Sequence, residues 1–335
     1  EKVTAYGNIY LYSLIVPIIS VSGIFLSYFN QQKRYKLLIS NGINPVKAAN
    51  IIFSIPEVTK PNLLIIIGSI FFVIFTLLVG TSKMALSQEI VFVGSFMIIL
   101  FLLFKLSNEL DANAKKMLIG TAIIIFVFRA MPGVGQGGSW FEIDVLGFDQ
   151  EFLSLLGLIA SFLTILGIFV LRPLMEKSSM TRLIVILSIA GSFFILPSIA
   201  MFYGFHEFTS KLTNGLVDAR FIAIFNTALE SPLGQVSMIP ILAWIAQSAP
   251  NHLKATFFAV LASFTNLALS ASNLGTKYLN QIYVITREVK NDLGIIKTPA
   301  DYSELGILLI IVCALTLIIP ILVTYIVKKL KLLSY

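Results

Sequence analysis

The sequence contains little that can carry catalysis or bind a metal. Its 335 residues include one cysteine and two histidines, so it can form neither a disulfide framework nor a cysteine metal site. Two histidines also leave few groups for acid–base or triad chemistry. Charged residues make up 12% of the chain, whereas soluble domains contain about a quarter. We therefore expect no enzyme, no cofactor and no metal.

Two short motifs look like ligand sites but lack the partners that such sites need. HEFTS (206–210) begins like the zinc motif HExxH but has no second histidine. GVGQGG (133–138) follows no predicted strand and opens no βαβ unit. Neither motif predicts a zinc site or a dinucleotide site.

Long apolar stretches fill most of the chain, which is 57% hydrophobic with a mean hydropathy of +0.91. A helix needs about 20 apolar residues to cross the hydrocarbon core of a bilayer. Nine stretches meet this requirement: 7–29, 61–80, 88–107, 115–135, 149–172, 181–203, 217–248, 254–284 and 304–328. The sequence therefore predicts an all-α, multi-pass integral membrane protein whose main partner is the lipid bilayer.

Basic residues are distributed unevenly between the loops. If 30–60 faces the cytoplasm, fifteen lysines and arginines lie on that side and eight on the other. The positive-inside rule therefore places the C-terminus in the cytoplasm, in a cytoplasmic (inner) or plasma membrane. The basic residues lie on separate loops without aromatic stacking partners. Nucleic acid is thus not an expected partner.

Two charged side chains are predicted near the middle of the membrane. Arg129 lies about 20 Å of helix beyond Lys116, and Glu230 lies similarly deep beyond Asp218. A charge at the centre of a membrane helix costs about 2.5–3.5 kcal/mol on insertion scales. The two residues either form a structural ion pair or belong to a substrate or proton site.

A polar stripe runs along the predicted span 254–284. Asn266, Ser270, Asn273 and Lys277, followed by Gln281, recur every three or four residues, which places them on one helical face. The stripe can line a water-filled path open to the outer side. Alternatively, its side chains form hydrogen bonds between helices.

Two predicted helices contain breaks beside the charged residues. Pro132 and four glycines follow Arg129 in FRAMPGVGQGGSWF (128–141), and Pro232 and Gly234 follow Glu230 in ESPLG. Irregular backbone at membrane depth is tolerated where it is buried in protein or lines a cavity. Interrupted helices around a polar centre are typical of transporters. Trp140, beside the first break, either joins an interfacial aromatic belt or stacks on a ligand ring.

Three stretches resemble the folate–biopterin transporter family of the major facilitator superfamily. They are RAMPGVGQGGSWFEIDVLGFDQEFL (129–153), VDARFIAIFNTALESPLGQVSMIPILAWIAQSAP (217–250) and LKATFFAVLASFTNLALSASNLGTKYLNQIY (253–283). The first carries the family's Pro-containing seventh helix and its LGF.xEFL turn, and the third resembles its EATxFALxxSxxN helix, with Lys254 in place of the glutamate. The resemblance covers about 115–330.

The resemblance implies a polytopic membrane helix bundle of the major facilitator type. About nine spans lie in this chain, with the C-terminal six-helix half complete at 111–335. Residues 1–110 then form part of an N-terminal half or include an inserted transmembrane hairpin. Because the chain begins at Glu1 and leads directly into a span, we expect it to be the C-terminal part of a longer protein.

The function implied by the resemblance is secondary active transport of folate, pterin or a similar anionic heterocycle, coupled to protons by alternating access. Alternatives are a facilitator for another small solute, such as a drug or peptide, and a non-transporting membrane receptor or assembly protein. The transporter is expected to be monomeric. Glu230 is the predicted proton-coupling residue. The predicted substrate-binding residues are Arg129, Trp140, Asn226, Gln235, Asn266, Asn273 and Lys277.

Overall fold

The computed structural model describes residues 11–53, 63–82, 84, 86–234, 236–249, 254–290 and 296–332. The structure in these residues is almost entirely helical. The helices are α1 (Ile15–Ser40), α2 (Pro45–Phe53), α3 (Leu63–Gly80), α4 (Ser87–Ser107), α5 (Ala112–Arg129), α6 (Gln136–Asp144), α7 (Gln150–Val170), α8 (Arg172–Lys177), α9 (Met180–Phe202), α10 (Phe205–Leu212), α11 (Ala219–Glu230), α12 (Met238–Ser248), α13 (Lys254–Ile282) and α14 (Leu305–Lys329). A 3-10 helix, Ser231–Leu233, follows α11, and strands β1 (Val289–Lys290) and β2 (Ile296–Thr298) pair antiparallel.

The chain divides into two compact units, Glu1–Pro61 and Asn62–Tyr335. In the first unit, the rings of Tyr35 and Phe53 lie 5.5 Å apart and join α1 to α2. In the second unit, α9 packs on α14, and α13 packs on α4, α5 and α12. Helix α7 packs on α11 and on the 3-10 helix. All the predicted site residues belong to the second unit.

Aspartates determine where three helices of the second unit begin. The side chains of Asp111, Asp149 and Asp218 accept the backbone N–H three residues later at 2.7, 2.8 and 2.8 Å. Such caps satisfy one of the free N–H groups of the first turn, and a negative charge there also favours the helix dipole. These contacts start α5, α7 and α11.

The largest buried cluster lies between α5, α12 and α13. Ile125, Ile245, Phe257 and Leu261 are each fully buried there, at 0% exposure. Burial of a large apolar side chain contributes about 1.5–3 kcal/mol. This cluster therefore joins the helix before the first break, the helix after the second break and the helix that carries the polar stripe.

The outward faces of the helices are apolar. On α7, Leu158, Phe162 and Phe169 are all strongly exposed, and a contiguous apolar surface of this kind suits lipid. Within the described residues, six helices are long and apolar enough to cross a membrane. The protein is thus a multi-pass integral membrane protein.

Three of the nine predicted spans differ from a long uninterrupted helix. Span 61–80 appears as α3, which has only 18 residues, and span 115–135 stops at Arg129. Span 217–248 is divided into α11, the 3-10 helix and α12. The helical membrane class is confirmed, while the count of nine spans and the major facilitator arrangement stay predictions.

Candidate functional site

The first predicted break is present, and helix α13 holds it. Helix α5 ends at Arg129 and α6 begins at Gln136. Between them, the Ser272 hydroxyl donates to Met131 O at 2.6 Å, Thr276 Oγ1 accepts from Gly133 N at 2.8 Å, and Asn280 Nδ2 donates to Val134 O at 3.1 Å. These three side chains recur every four residues. One face of α13 therefore satisfies the backbone groups that the break leaves without helical partners.

Glycines allow the broken segment to lie close to its neighbours. Gly135 has φ +78°, a left-handed conformation that suits glycine, and a Cβ there would lie 2.9 Å from Asn280 Nδ2. A Cβ at Gly137 would lie 2.7 Å from Ile285 Cδ1. The glycine run predicted to interrupt the helix therefore also brings α6 against α13 and the segment that follows it.

A cavity of about 1110 Å³ lies beside this segment. Its walls come from α3, α4, α6 and α13, together with Gly135 and Ile285. Sites for small molecules commonly have volumes of about 300–1,000 Å³. The lining residues are Phe72, Thr76, Gln88, Val91, Phe92, Ser95, Ile99, Gly135, Gln136, Gly137, Trp140, Ser263, Asn266, Leu267, Ser270, Asn273, Leu274, Thr276, Lys277, Asn280 and Ile285.

The predicted polar stripe forms one wall of this cavity. Asn266, Ser270, Asn273 and Lys277 all line it. The side chains of Asn266 and Asn273 are exposed and make no hydrogen bond with any described residue. Both amides are therefore free to bind a ligand. Within the stripe, the alternative role of hydrogen bonding between helices applies to Lys277, which bonds Glu89 on α4. The neighbouring face at 272, 276 and 280 bonds the broken segment instead.

Lys277 is the one charged side chain among the described lining residues. Its Nζ donates to Glu89 Oε1 at 2.6 Å, and the Tyr278 hydroxyl donates to the same oxygen at 2.9 Å. The side chains of Lys277 and Glu89 are 34% and 17% exposed. Glu89 Oε2 is buried and has no hydrogen-bond partner. The pair therefore joins α13 to α4 at the edge of the cavity.

Trp140 lies on the cavity wall formed by α6, and Phe72 and Phe92 lie on the walls formed by α3 and α4. Their rings offer flat apolar surfaces to a ligand. Thr76, also on α3, lines the cavity with a buried hydroxyl that lacks a hydrogen-bond partner. The cavity thus combines aromatic faces, amides, hydroxyls and a single ammonium group.

Arg129 lies at the end of α5 and is absent from the cavity lining. Its Nη1 donates to Met238 Sδ at 3.2 Å, and its buried Nε has no hydrogen-bond partner. Among the ion pairs of the described residues, none joins Arg129 to Glu230. This conformation therefore does not contain the structural Arg129–Glu230 ion pair that was one of the two predicted alternatives.

Glu230 ends α11 at the second predicted break, where the 3-10 helix follows. Its side chain is exposed and makes no hydrogen bond or ion pair with any described residue. Neither Glu230 nor Asn226, one turn earlier, lines the cavity. Gln235 lies outside the described residues.

The second break lies against helix α7. Thr164 Oγ1 donates to Ser231 O at 2.9 Å, which satisfies a carbonyl in the irregular segment. A Cβ at Gly167 would lie 2.2 Å from Pro232 O and 2.5 Å from its Cα. Backbone packs directly on backbone here because residue 167 has no side chain.

A hairpin after α13 is attached to the end of α6. Arg287 Nε and Nη2 donate to Asp144 Oδ2 and Oδ1 at 2.8 and 2.7 Å, and the Tyr302 hydroxyl donates to Oδ2 at 2.7 Å. The Arg287 guanidinium, followed by the Tyr302 hydroxyl, lowers the pKa of Asp144. Burial, and then the bond to Asp144, raises the pKa of Tyr302 to about 12. Because α6 carries Trp140 and Ile285 precedes the hairpin, this cluster connects two parts of the chain that line the cavity.

Glu89 and the hydrogen-bonding face of α13 were not predicted from the sequence. The sequence does contain a hint of Glu89. The loop charges place it on the same side of the membrane as Lys277, and a lysine in a polar stripe needs an anionic partner. The helical repeat also indicates the second face, because every fourth residue on it is polar: Ser272, Thr276 and Asn280. Within the described residues, no group of three or more His, Cys, Asp or Glu side chains can hold a metal.

Comparisons with known proteins agree with the resemblance found in the sequence. A relative described as a folate-biopterin transporter, from Synechocystis sp., is 21% identical over 154 residues. The match covers 46% of this chain and 30% of the relative, so the chain spans less than a third of that protein's length. No solved structure matches the chain. The resemblance is confirmed over most of the sequence: the BT1 family model matches residues 57–334, and the chain therefore belongs to the BT1 family.

Proposed function

We propose that this protein is a secondary transporter of folate, pterin or a similar anionic heterocycle. The observation that carries the proposal is the cavity of about 1110 Å³, in which a lysine, unpaired amides and a tryptophan face the same space. Family membership and the description of the Synechocystis relative as a folate-biopterin transporter support transport of this substrate class. They also favour a transporter over an enzyme.

The lining groups match the parts of such a substrate. Lys277 can hold a carboxylate through a charge-assisted hydrogen bond. Asn266 and Asn273 each offer an amide donor and an acceptor, which suits the mixed edge of a pterin ring. Trp140 can stack on the ring face. One molecule can make all three kinds of contact because these residues line a single cavity.

Arg129, Asn226, Gln235 and Glu230 remain in the proposal as residues of a second conformation. Alternating access changes which side chains line the central cavity, and both broken helices supply places where such a change can occur. Arg129 is proposed to bind substrate and Glu230 to couple a proton in that conformation. Cysteine replacements at these positions test this: reactivity toward a thiol reagent should change on adding folate, and unchanged reactivity would contradict it.

The proposed orientation in the membrane rests on the loop charges. The transporter acts as a monomer in a cytoplasmic (inner) or plasma membrane with its C-terminus in the cytoplasm, and protons drive the uptake. The partners are then the lipid bilayer, a small-molecule substrate and protons. Residues 111–335 supply the C-terminal half of a facilitator bundle, and residues 1–110 supply part of the N-terminal half or an inserted hairpin.

Uptake of labelled folate into proteoliposomes tests the proposal. We expect concentrative uptake that depends on an imposed pH gradient and is inhibited by pterins. Liposomes containing the Lys277→Gln variant provide the control for the site. Uptake of other solutes without folate would favour a different facilitator, and folate binding without any uptake would favour a receptor.

A further inference from the structure

We infer that Glu89 is the group that a substrate carboxylate displaces from Lys277, and that Glu89 takes up one proton when this happens. The inference rests on the proposed function, because it requires a substrate with a carboxylate. Beyond that function, it gives Glu89 a role and places a proton on one of its oxygens. Glu230 remains proposed to couple a proton in a different step, the change of access.

The geometry places Lys277 between two possible anions. Lys277 lines the cavity, and its ammonium group donates to Glu89 Oε1 at 2.6 Å. Glu89 lies in the first turn of α4 and is absent from the cavity lining. A lysine ammonium has three donors on a flexible four-carbon stem. It can therefore turn from Glu89 to a carboxylate in the cavity without movement of either helix.

Charge balance explains why a proton must accompany this exchange. Lys277 and Glu89 are opposite charges, and the described lining adds no other charged side chain. A substrate carboxylate that approaches Lys277 also approaches the negative Glu89, and like charges at short range repel each other. One proton on Glu89 removes the repulsion, so carboxylate and proton enter together and the charge around Lys277 stays unchanged.

The free oxygen of Glu89 is the place for that proton. Oε2 is buried and has no hydrogen-bond partner, while both observed donors bind Oε1. A buried, unpaired oxygen is costly while the group carries a charge, and the ion pair with Lys277 offsets that cost. When Lys277 turns away, the neutral acid becomes the favoured form. The proton adds to Oε2, and Tyr278 continues to donate to Oε1.

Few other titratable groups face Glu89. Helices α3 and α13 make most of the contacts with α4, and α5 also packs on it, where the rings of Phe96 and Phe126 lie 5.6 Å apart. The charged residues of α5 are Lys115 and Lys116 near its start and Arg129 at its end, where Arg129 Nη1 donates to Met238 Sδ. Helix α3 contains no ionisable side chain, and on α13 the nearby groups are Lys277 and Tyr278. Lys105 and Lys254 lie at the opposite ends of α4 and α13. Lys83, earlier in the chain, lies outside the described residues. Proton uptake on binding can therefore be assigned by substitution of Glu89.

Calorimetric titration of the purified protein with folate, in two buffers of different ionisation enthalpy, tests the inference by counting protons. We expect the wild type to take up one proton per folate. Its affinity for folate should therefore fall about tenfold for each unit by which the pH rises between 6 and 8. Glu89→Gln should bind folate without proton uptake, and its affinity should not depend on pH. Glu176→Gln is the matched control, because it removes an exposed ion pair of similar length, 2.7 Å, away from the cavity.

The outcomes separate this inference from the proposed function. If the wild type fails to bind folate, both the proposed substrate class and this inference are contradicted. Folate binding without proton uptake in the wild type overturns the inference alone, and so does equal proton uptake in Glu89→Gln. If Glu89→Gln does not fold, infrared difference spectra of the wild type decide: a protonated carboxyl signal should appear with folate, and its absence contradicts the inference.

Discussion

The wall formed by α13 and the break between α11 and α12 look equally functional in the sequence, yet the structure treats them differently. On α13, Asn266, Asn273 and Lys277 face one cavity with helices on the other sides. At the break, Glu230 is exposed and without a described partner, and Asn226 lies off the cavity. A stripe that repeats with the helical period identifies a face, because its members support one another. A single charge shows only that its burial in the membrane is energetically unfavourable.

The largest effect is expected from Lys277→Gln, which removes the only charge from the described cavity lining. Losing a hydrogen bond to a charged group costs about 1.5–3 kcal/mol, which weakens folate binding by about 10- to 100-fold. Titration calorimetry measures this directly. Lys290→Gln is the control, since Lys290 pairs at 2.8 Å with Glu288 in the hairpin. Equal affinities in both variants would remove α13 from the site.

A smaller effect, on accumulation instead of affinity, is expected from Glu230→Gln. One proton per substrate sustains about tenfold accumulation per pH unit of gradient, because one unit corresponds to 1.36 kcal/mol. If the broken helix carries the coupling, the variant loses this tenfold accumulation and keeps folate exchange at equilibrium. Uptake assays with a pH gradient measure accumulation, and assays without a gradient measure exchange at equilibrium. Accumulation as in the wild type would confine coupling to the cavity wall and end the role proposed for Glu230.

A third prediction compares one asparagine from each region. Asn273→Ala removes one neutral hydrogen bond from the cavity, worth about 0.5–1.5 kcal/mol, so folate affinity should fall about two- to tenfold. Asn226→Ala should have a smaller effect in the conformation described here, since Asn226 does not line the cavity. Binding of folate to each purified variant measures both. A larger loss in Asn226→Ala would reverse the comparison between the two regions.

The smallest effect concerns the hairpin, whose attachment to α6 should weaken in acid. The Arg287 guanidinium lowers the pKa of Asp144, so this attachment is fully present above the unfolded value of about 3.9. It is lost as the pH falls through the lower folded value. Hydrogen exchange in 283–304, corrected for the intrinsic rate, should therefore increase a few-fold below about pH 4.

Asp144→Asn should show that faster exchange already at pH 7 and should lose the acid dependence. Asp149→Asn is the control, because Asp149 forms its ion pair with Arg220, at 2.8 Å, and not with the hairpin. A hairpin that exchanges at the wild-type rate in Asp144→Asn would show that other contacts hold it.

The helices and both breaks followed from local chemistry, and the pairings between distant elements did not. Pro132 and Pro232 lack a backbone N–H and crowd the preceding turn, and glycines follow both. Asp218 caps the helix that follows it. By contrast, Glu89 and Lys277 are 188 residues apart, and no periodicity connects them. Arg129 shows the same limit, since its contact with Met238 depends on how α5 and α12 cross.

Gly167 has a consequence for how variation in this protein should be interpreted. Any side chain at this position would collide with the backbone of Pro232, at 2.2 Å from its carbonyl oxygen. A saturation library selected for growth on a new substrate should therefore return glycine at 167 in every survivor, while Asn273 changes freely with the ligand. An invariant glycine at 167 would therefore reflect only the close packing of two backbones. The position that varies, Asn273, would be the one that contacts the substrate.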